Sequence, residues 1–173
     1  MLKPIDIFVA FDQNNGIGKQ GTIPWKIPAD LKRFRDITST PLDQSKQNAV
    51  IMGRKTWESI PDKFRPLPNR RNIVLSLGSA DFLGATRSST FLNAVLAADL
   101  DDAIERSFVI GGAEAYKLAL PYARRLYITR VFGNYDCDVF FPNIPDTFVQ
   151  EVVEPDQCTR DGITFKYEHY ERK

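Results

Sequence analysis

Val50-Ile51-Met52-Gly53-Arg54-Lys55-Thr56-Trp57-Glu58-Ser59-Ile60 is the stretch that decides the fold. An apolar, β-branched run stops at a glycine, and residues with helical spacing begin at once. A second stretch repeats the plan, Phe108-Val109-Ile110-Gly111-Gly112-Ala113-Glu114-Ala115-Tyr116. A strand that passes directly into a helix needs a crossover before the next strand can pair, which favours a parallel sheet. Further strands are predicted at Ile5 to Phe11, Ala49 to Met52, Ile73 to Leu77, Phe108 to Ile110, Leu126 to Phe132, Phe148 to Val153 and Ile163 to Tyr170. Helical spacing occupies Ala29 to Ile37, Lys55 to Ile60, Phe91 to Ile104 and Ala113 to Leu120. The alternation ends in consecutive strands. The expected fold is therefore α/β: a mostly parallel central mixed sheet of about eight strands, a C-terminal antiparallel hairpin, and helices on both faces.

Length and composition bound the function. A chain of 173 residues with 43% hydrophobic content can build one sizeable core but not two, so a single domain over 1–173 is expected. Its 23 basic and 22 acidic side chains leave a net charge of +1, too little to attract nucleic acid or an anionic membrane. Pro4 and Asp6 interrupt the apolar run a signal peptide needs, and no later stretch is apolar enough for a bilayer, so a cytoplasmic protein is expected. Cys137, Cys158 and His169 are too few for a disulfide framework or a metal site.

Two regions carry candidate chemistry. The loop Asp12 to Trp25 holds Gly16, Gly18 and Gly21 around Ile17, which suits a mobile lid as well as a plain surface connection. After it, Pro28 fits the first turn of a helix, which puts Asp30 in that turn and Leu31 and Phe34 on the inward stripe. An acid there can simply complement the helix dipole. Desolvated by Trp25, Ile27, Leu31 and Phe34, it could instead form paired hydrogen bonds with an amidine-like group on a flat heterocycle. The residues alone leave both readings open. The two glycine turns, with Arg54, Lys55 and Thr56, are competent to bind phosphates, and two such turns suit a dinucleotide.

Ile17-Gly18, Ile23-Pro24-Trp25 and Asp30, followed by Met52 to Ile60, Arg65 to Ser76 and Ile110 to Tyr116, stand in the order and spacing of the dihydrofolate reductase family, which the chain resembles over almost its whole length. The resemblance implies NADPH-dependent reduction of 7,8-dihydrofolate to tetrahydrofolate, with hydride reaching C6 and a proton N5. It makes Asp30 the acid that holds the pterin 2-amino group and N3, with Trp25 and Thr129 completing the catalytic network. Water admitted by the loop is the implied proton donor, because the acid lies across the ring from N5. Phe8, Val9, Ala10, Leu31, Ile110 and Tyr116 join the substrate pocket. Phe34, Ile60 and Leu67 are expected to line the p-aminobenzoyl trough, and Arg70 to grip the glutamate α-carboxylate.

The resemblance places Ala10, Ile17, Gly18 and Gly112 around nicotinamide and pyrophosphate. Arg54, Lys55, Thr56 and Ser76 fall on the phosphate side, and the two cations favour NADPH over NADH. Gly53, Leu75, Leu77, Ile110 and Gly111 extend the cofactor set, as do Ala113, Glu114, Ala115 and Tyr116. Gly111-Gly112 matches a family position with a non-proline cis peptide. Three residues depart from the family pattern. Leu77 stands where a polar or basic residue is usual, so that part of the phosphate grip is missing or supplied by a side chain such as Arg87. Phe8 is bulkier than the usual aliphatic residue and is expected to fill core volume. Glu114 puts an acid near a pyrophosphate, which is unfavourable unless it points away.

Implied partners are dihydrofolate and antifolates, and a monomer is expected unless the chain belongs to a bifunctional protein of the thymidylate cycle. Ile60-Pro61-Asp62-Lys63-Phe64-Arg65-Pro66 resembles the eukaryotic and protozoal forms in which that occurs. The rival readings are a related reductase acting on a ribosylamino-pyrimidine and a nucleotide-binding domain without turnover. Asp30 after Pro24-Trp25, together with Arg70, weighs against the first, and Asp30, Trp25 and Thr129 against the second.

Overall fold

Alternate residues of β1 (Ile5–Phe11) point to opposite faces of a sheet, and both faces are covered in the computed structural model, which describes residues 1–173. The chain continues through β2 (Gly16–Gly18), α1 (Pro28–Ser39), β3 (Gln47–Gly53), α2 (Arg54–Ser59), a 3-10 turn (Asp62–Phe64), β4 (Arg70–Leu75) and β5 (Ala85–Ser88). It then forms α3 (Phe91–Leu100), β6 (Ile104–Val109), α4 (Ala113–Ala119), β7 (Arg125–Val131), β8 (Val139–Phe140), β9 (Phe148–Val153), β10 (Gln157–Cys158) and β11 (Thr164–Arg172). Nine strands make one sheet in the order β10-β11-β7-β1-β6-β3-β4-β5, with β9 also paired to β11. Strands β7 through β5 along this path are parallel, whereas β11 is antiparallel to β7, β9 and β10. The expected α/β architecture and antiparallel C-terminal edge are present.

Ile5, Ile7, Val9 and Phe11 pack on one face against Ala94 and Val95 of α3 and Ala115 and Ala119 of α4. On the other face Val50, Met52, Val74 and Phe108 meet Trp57 of α2, with Ile37 of α1 against them. Central strands buried on both sides read as the unbroken apolar runs seen in the sequence. No helix is long and apolar enough to cross a membrane.

Three boundaries differ from expectation. The third helix stops at Leu100 rather than Ile104, because Asp101 caps a turn: its Oδ1 accepts from Ala103 N at 3.0 Å and its carbonyl from Ile104 N at 2.8 Å. Ile104 then opens β6. Strand β4 ends at Leu75, leaving Leu77 outside it and 89% exposed. Strands β2, β5, β8 and β10 were not predicted, since each is four residues or fewer and none has an apolar alternation long enough to register.

Candidate functional site

Strands β3 and β6 end side by side, and their glycine turns are stitched together: Gly53 N donates to Gly111 O at 2.8 Å and Ile110 N to Ile51 O at 3.0 Å. Gly111 has φ +132°, a region closed to most side chains, and a Cβ there would meet Thr56 Oγ1 at 3.2 Å. The Gly111-Gly112 peptide is cis, as the resemblance implied. Beside these turns opens a cleft of about 1440 Å³. Every residue expected on the cofactor side lines it: Ala10, Ile17, Gly18, Gly53, Arg54, Lys55, Thr56, Leu75, Ser76, Leu77, Ile110, Gly111, Gly112, Ala113, Glu114, Ala115 and Tyr116. Ile23, Ser79, Leu92 and Leu118 line it as well and were not expected. They lie in loops or on helix faces turned from the sheet, where periodicity carries no signal.

These residues fit a dinucleotide. A Cβ on Gly53 would stand 3.7 Å from Gly112 N, in ordinary contact with it, so glycine at 53 leaves that amide less covered. Arg54 and Lys55 are exposed at the rim, and Arg54 Nη1 lies 3.6 Å from Glu58 Oε1. Glu114 is exposed. Arg87 Nη1 donates to Gly78 O at 2.8 Å, which fastens Arg87 to the Ser76 to Gly78 segment that lines the cleft next to Leu77.

Asp30 stands in the first turn of α1, whose first residue is Pro28. Thr129 Oγ1, from the adjoining β7, donates to its Oδ1 at 2.5 Å. Burial raises the Asp30 carboxyl above its ordinary range, while the Thr129 hydrogen bond and the charge of Arg33 act the other way. Tyr116 is buried, and its hydroxyl donates to Phe8 O at 2.9 Å. Trp25 is buried in a cluster with Ile27, Val131, Phe165 and Tyr167 and meets Tyr135 edge to face at 5.2 Å.

The inward stripe of α1 is Asp30, Arg33, Phe34, Ile37 and Thr38, the i, i+3, i+4, i+7, i+8 pattern of one helical face. Leu31 is not on it and is 61% exposed, contrary to expectation. Phe34 meets Phe8 edge to face at 5.3 Å, and Arg70 lies 5.6 Å from the centre of the Phe34 ring. Arg70 is buried, with Nε donating to Pro68 O and Nη1 to Thr38 Oγ1, both at 2.9 Å. Burial and the like charge of Arg35 lower its pKa to about 10. Ile60 and Leu67 are half-buried against the cluster of Val50, Met52 and Trp57.

Of two further residues expected at the pocket, Val9 turns its side chain away from the Asp30 face and Phe8 stays on it beside Phe34. The Val9 side chain lies on the α3 and α4 face of the sheet, since successive strand residues alternate. Phe8 is buried against Phe34 and Tyr127 and fills core volume.

The Asp12 to Trp25 loop is tied down. Asp12 Oδ1 accepts from Asn14 N at 2.9 Å and Gly16 N at 2.8 Å, and its Oδ2 from Tyr135 N at 3.1 Å. Strand β2 pairs with β8, and Asp138 N donates to Gly18 O at 3.0 Å. Ile17 thereby packs on the core beside the cleft.

A family sequence profile described as dihydrofolate reductase matches residues 4–172. The chain is 38% identical over 176 residues to a Drosophila melanogaster protein named dihydrofolate reductase, covering 96% of this chain and 97% of that one. It is 37% identical over 174 residues to a protein of the same name from Schistosoma mansoni, covering 94% and 93%. An Arabidopsis thaliana bifunctional dihydrofolate reductase-thymidylate synthase is 41% identical over 175 residues, covering 96% of this chain but only 34% of its own length. The chain thus spans about a third of the bifunctional relatives it matches.

Proposed function

The chain belongs to the dihydrofolate reductase family, and from this we propose that residues 1–173 form one reductase unit that converts 7,8-dihydrofolate to 5,6,7,8-tetrahydrofolate with NADPH. The observation that carries the reading is a single buried-side acid, Asp30, hydrogen-bonded to Thr129 at 2.5 Å on the sheet face next to the dinucleotide-sized cleft. An ionised carboxylate there accepts hydrogen bonds from the 2-amino group and N3 of a pterin and favours the N5-protonated, cation-like form of the ring. NADPH supplies the hydride for C6 when bound. Gly18, Gly53 and Gly112 leave room for its nicotinamide and pyrophosphate, and Arg54, Lys55 and Ser76 face its phosphates. Phe34, Ile60 and Leu67 hold the p-aminobenzoyl ring, and Arg70, with Nε and Nη1 already fixed, offers the rest of its fork to the α-carboxylate.

The test is NADPH oxidation by the purified chain, followed by absorbance. Oxidation is expected only when dihydrofolate is added, with tetrahydrofolate as product. Cofactor binding without turnover would overturn the proposal.

A further inference from the structure

Asp30 and Arg33 are the two charged residues on the inward stripe of α1, one turn apart. An arginine on such a face normally carries its head group out to water. Arg33 does not. Its guanidinium lies 4.1 Å from the centre of the Tyr167 ring and 5.4 Å from that of Phe8, and Nη1 is buried without a hydrogen-bond partner. Cation–π contact offsets only part of the cost of burying that charge, and an apolar side chain of similar volume would fill the slot without it. The placement closes a circuit around Asp30: Tyr167 pairs across the sheet with Thr129, and Thr129 holds Asp30.

We propose that Arg33 is a positioning residue of the reductase site, a fixed positive charge beneath α1 that favours the ionised form of Asp30 in its apolar surroundings. The proposal rests on the reading of Asp30 as the pterin-binding acid. The electrostatics agree: Arg33 is the cation whose field pulls the Asp30 carboxyl back down against burial, and Asp30 is the strongest influence holding the Arg33 charge in place. The other groups facing the pair are Tyr116 from α4, Tyr127 and Thr129 from β7, Tyr167 and His169 from β11, and Glu154 after β9. Burial raises the Tyr116 and Tyr167 hydroxyls and lowers the His169 imidazole, so these three stay neutral near pH 7 and leave Arg33 as the cation acting on Asp30.

The experiment titrates the full chain labelled with [γ-13C]aspartate, the Asp30 signal being the one absent from Asp30→Asn. Arg33→Met is expected to move the Asp30 midpoint up by about one pH unit, and Arg33→Lys to leave it within a few tenths. Arg33→Gln is a second neutral variant should methionine not fold. A midpoint unmoved in either folded neutral variant overturns the proposal. Dihydrofolate-dependent NADPH oxidation by the parent chain separates the two readings: an active parent with a static midpoint refutes only the role of Arg33, and an inactive parent with a moving midpoint refutes only the reductase reading.

Discussion

Thr129 and Asp30 show how one hydrogen bond sets the chemistry of a site. Burial pushes the Asp30 carboxyl up from its ordinary range, and the 2.5 Å bond from Thr129 Oγ1 opposes this. Thr129→Val removes the donor without changing the shape, so kcat/KM for dihydrofolate is expected to fall by about 10- to 100-fold, the equivalent of about 1–3 kcal/mol. An unchanged kcat/KM would contradict the network. Arg70 is a different case, because the proposed role puts it at a part of the substrate far from the bond being reduced. Arg70→Ala is expected to raise the KM for dihydrofolate and leave kcat nearly unchanged, as steady-state kinetics would show; a fall confined to kcat would contradict it. Asp30 was legible in the sequence because Pro28 fixes where the helix starts. Arg33 was not, since the stripe rule looks for apolar residues and passed over a charged one in favour of Leu31.

The loop between β1 and α1 behaves as an element in its own right. Its glycines read as flexibility, yet Gly16 is required for contact: a Cβ there would lie 2.4 Å from Cys137 Cβ, and rotating a side chain cannot relieve a clash between two Cβ atoms. Gly16→Ala is therefore expected to force β2 away from β8. Denaturant unfolding should report a loss of about 1–3 kcal/mol, and the Asp138 amide, which donates to Gly18 O, should exchange faster with solvent. Wild-type stability with unchanged exchange would contradict the pairing. Strands of two or three residues such as β2 and β8 are held by a partner over a hundred residues away, so no local pattern announces them. The central strands, apolar on both faces, are the opposite case and were located from their own residues.

At the scale of the molecule, the parallel sheet brings the two glycine turns and the cleft to one end and leaves a charged cluster at the other. Asp6, at the start of β1, is 1% exposed, with Arg106 Nη1 3.5 Å from its Oδ2. Burial outweighs Arg106, Arg125 and Arg124 and raises its pKa from 3.8 to about 6. The folded chain thus holds this proton more tightly than the unfolded chain, a stabilisation present below pH 3.8 and lost as pH rises through about 6. Asp6→Asn should gain on the parent between pH 4 and 7, by up to about 3 kcal/mol, in denaturant unfolding at each pH; a difference independent of pH would contradict this. Nothing in composition signalled this buried acid, because burial at a strand's start depends on β6 and β7 flanking it. Asp30 is the residue on which the proposed activity depends, and the most direct measurement compares Asp30→Asn with the parent in dihydrofolate-dependent NADPH oxidation and in NADPH binding. The variant is expected to lose most of the rate and keep its affinity for NADPH. Undiminished turnover in that variant would contradict the assignment.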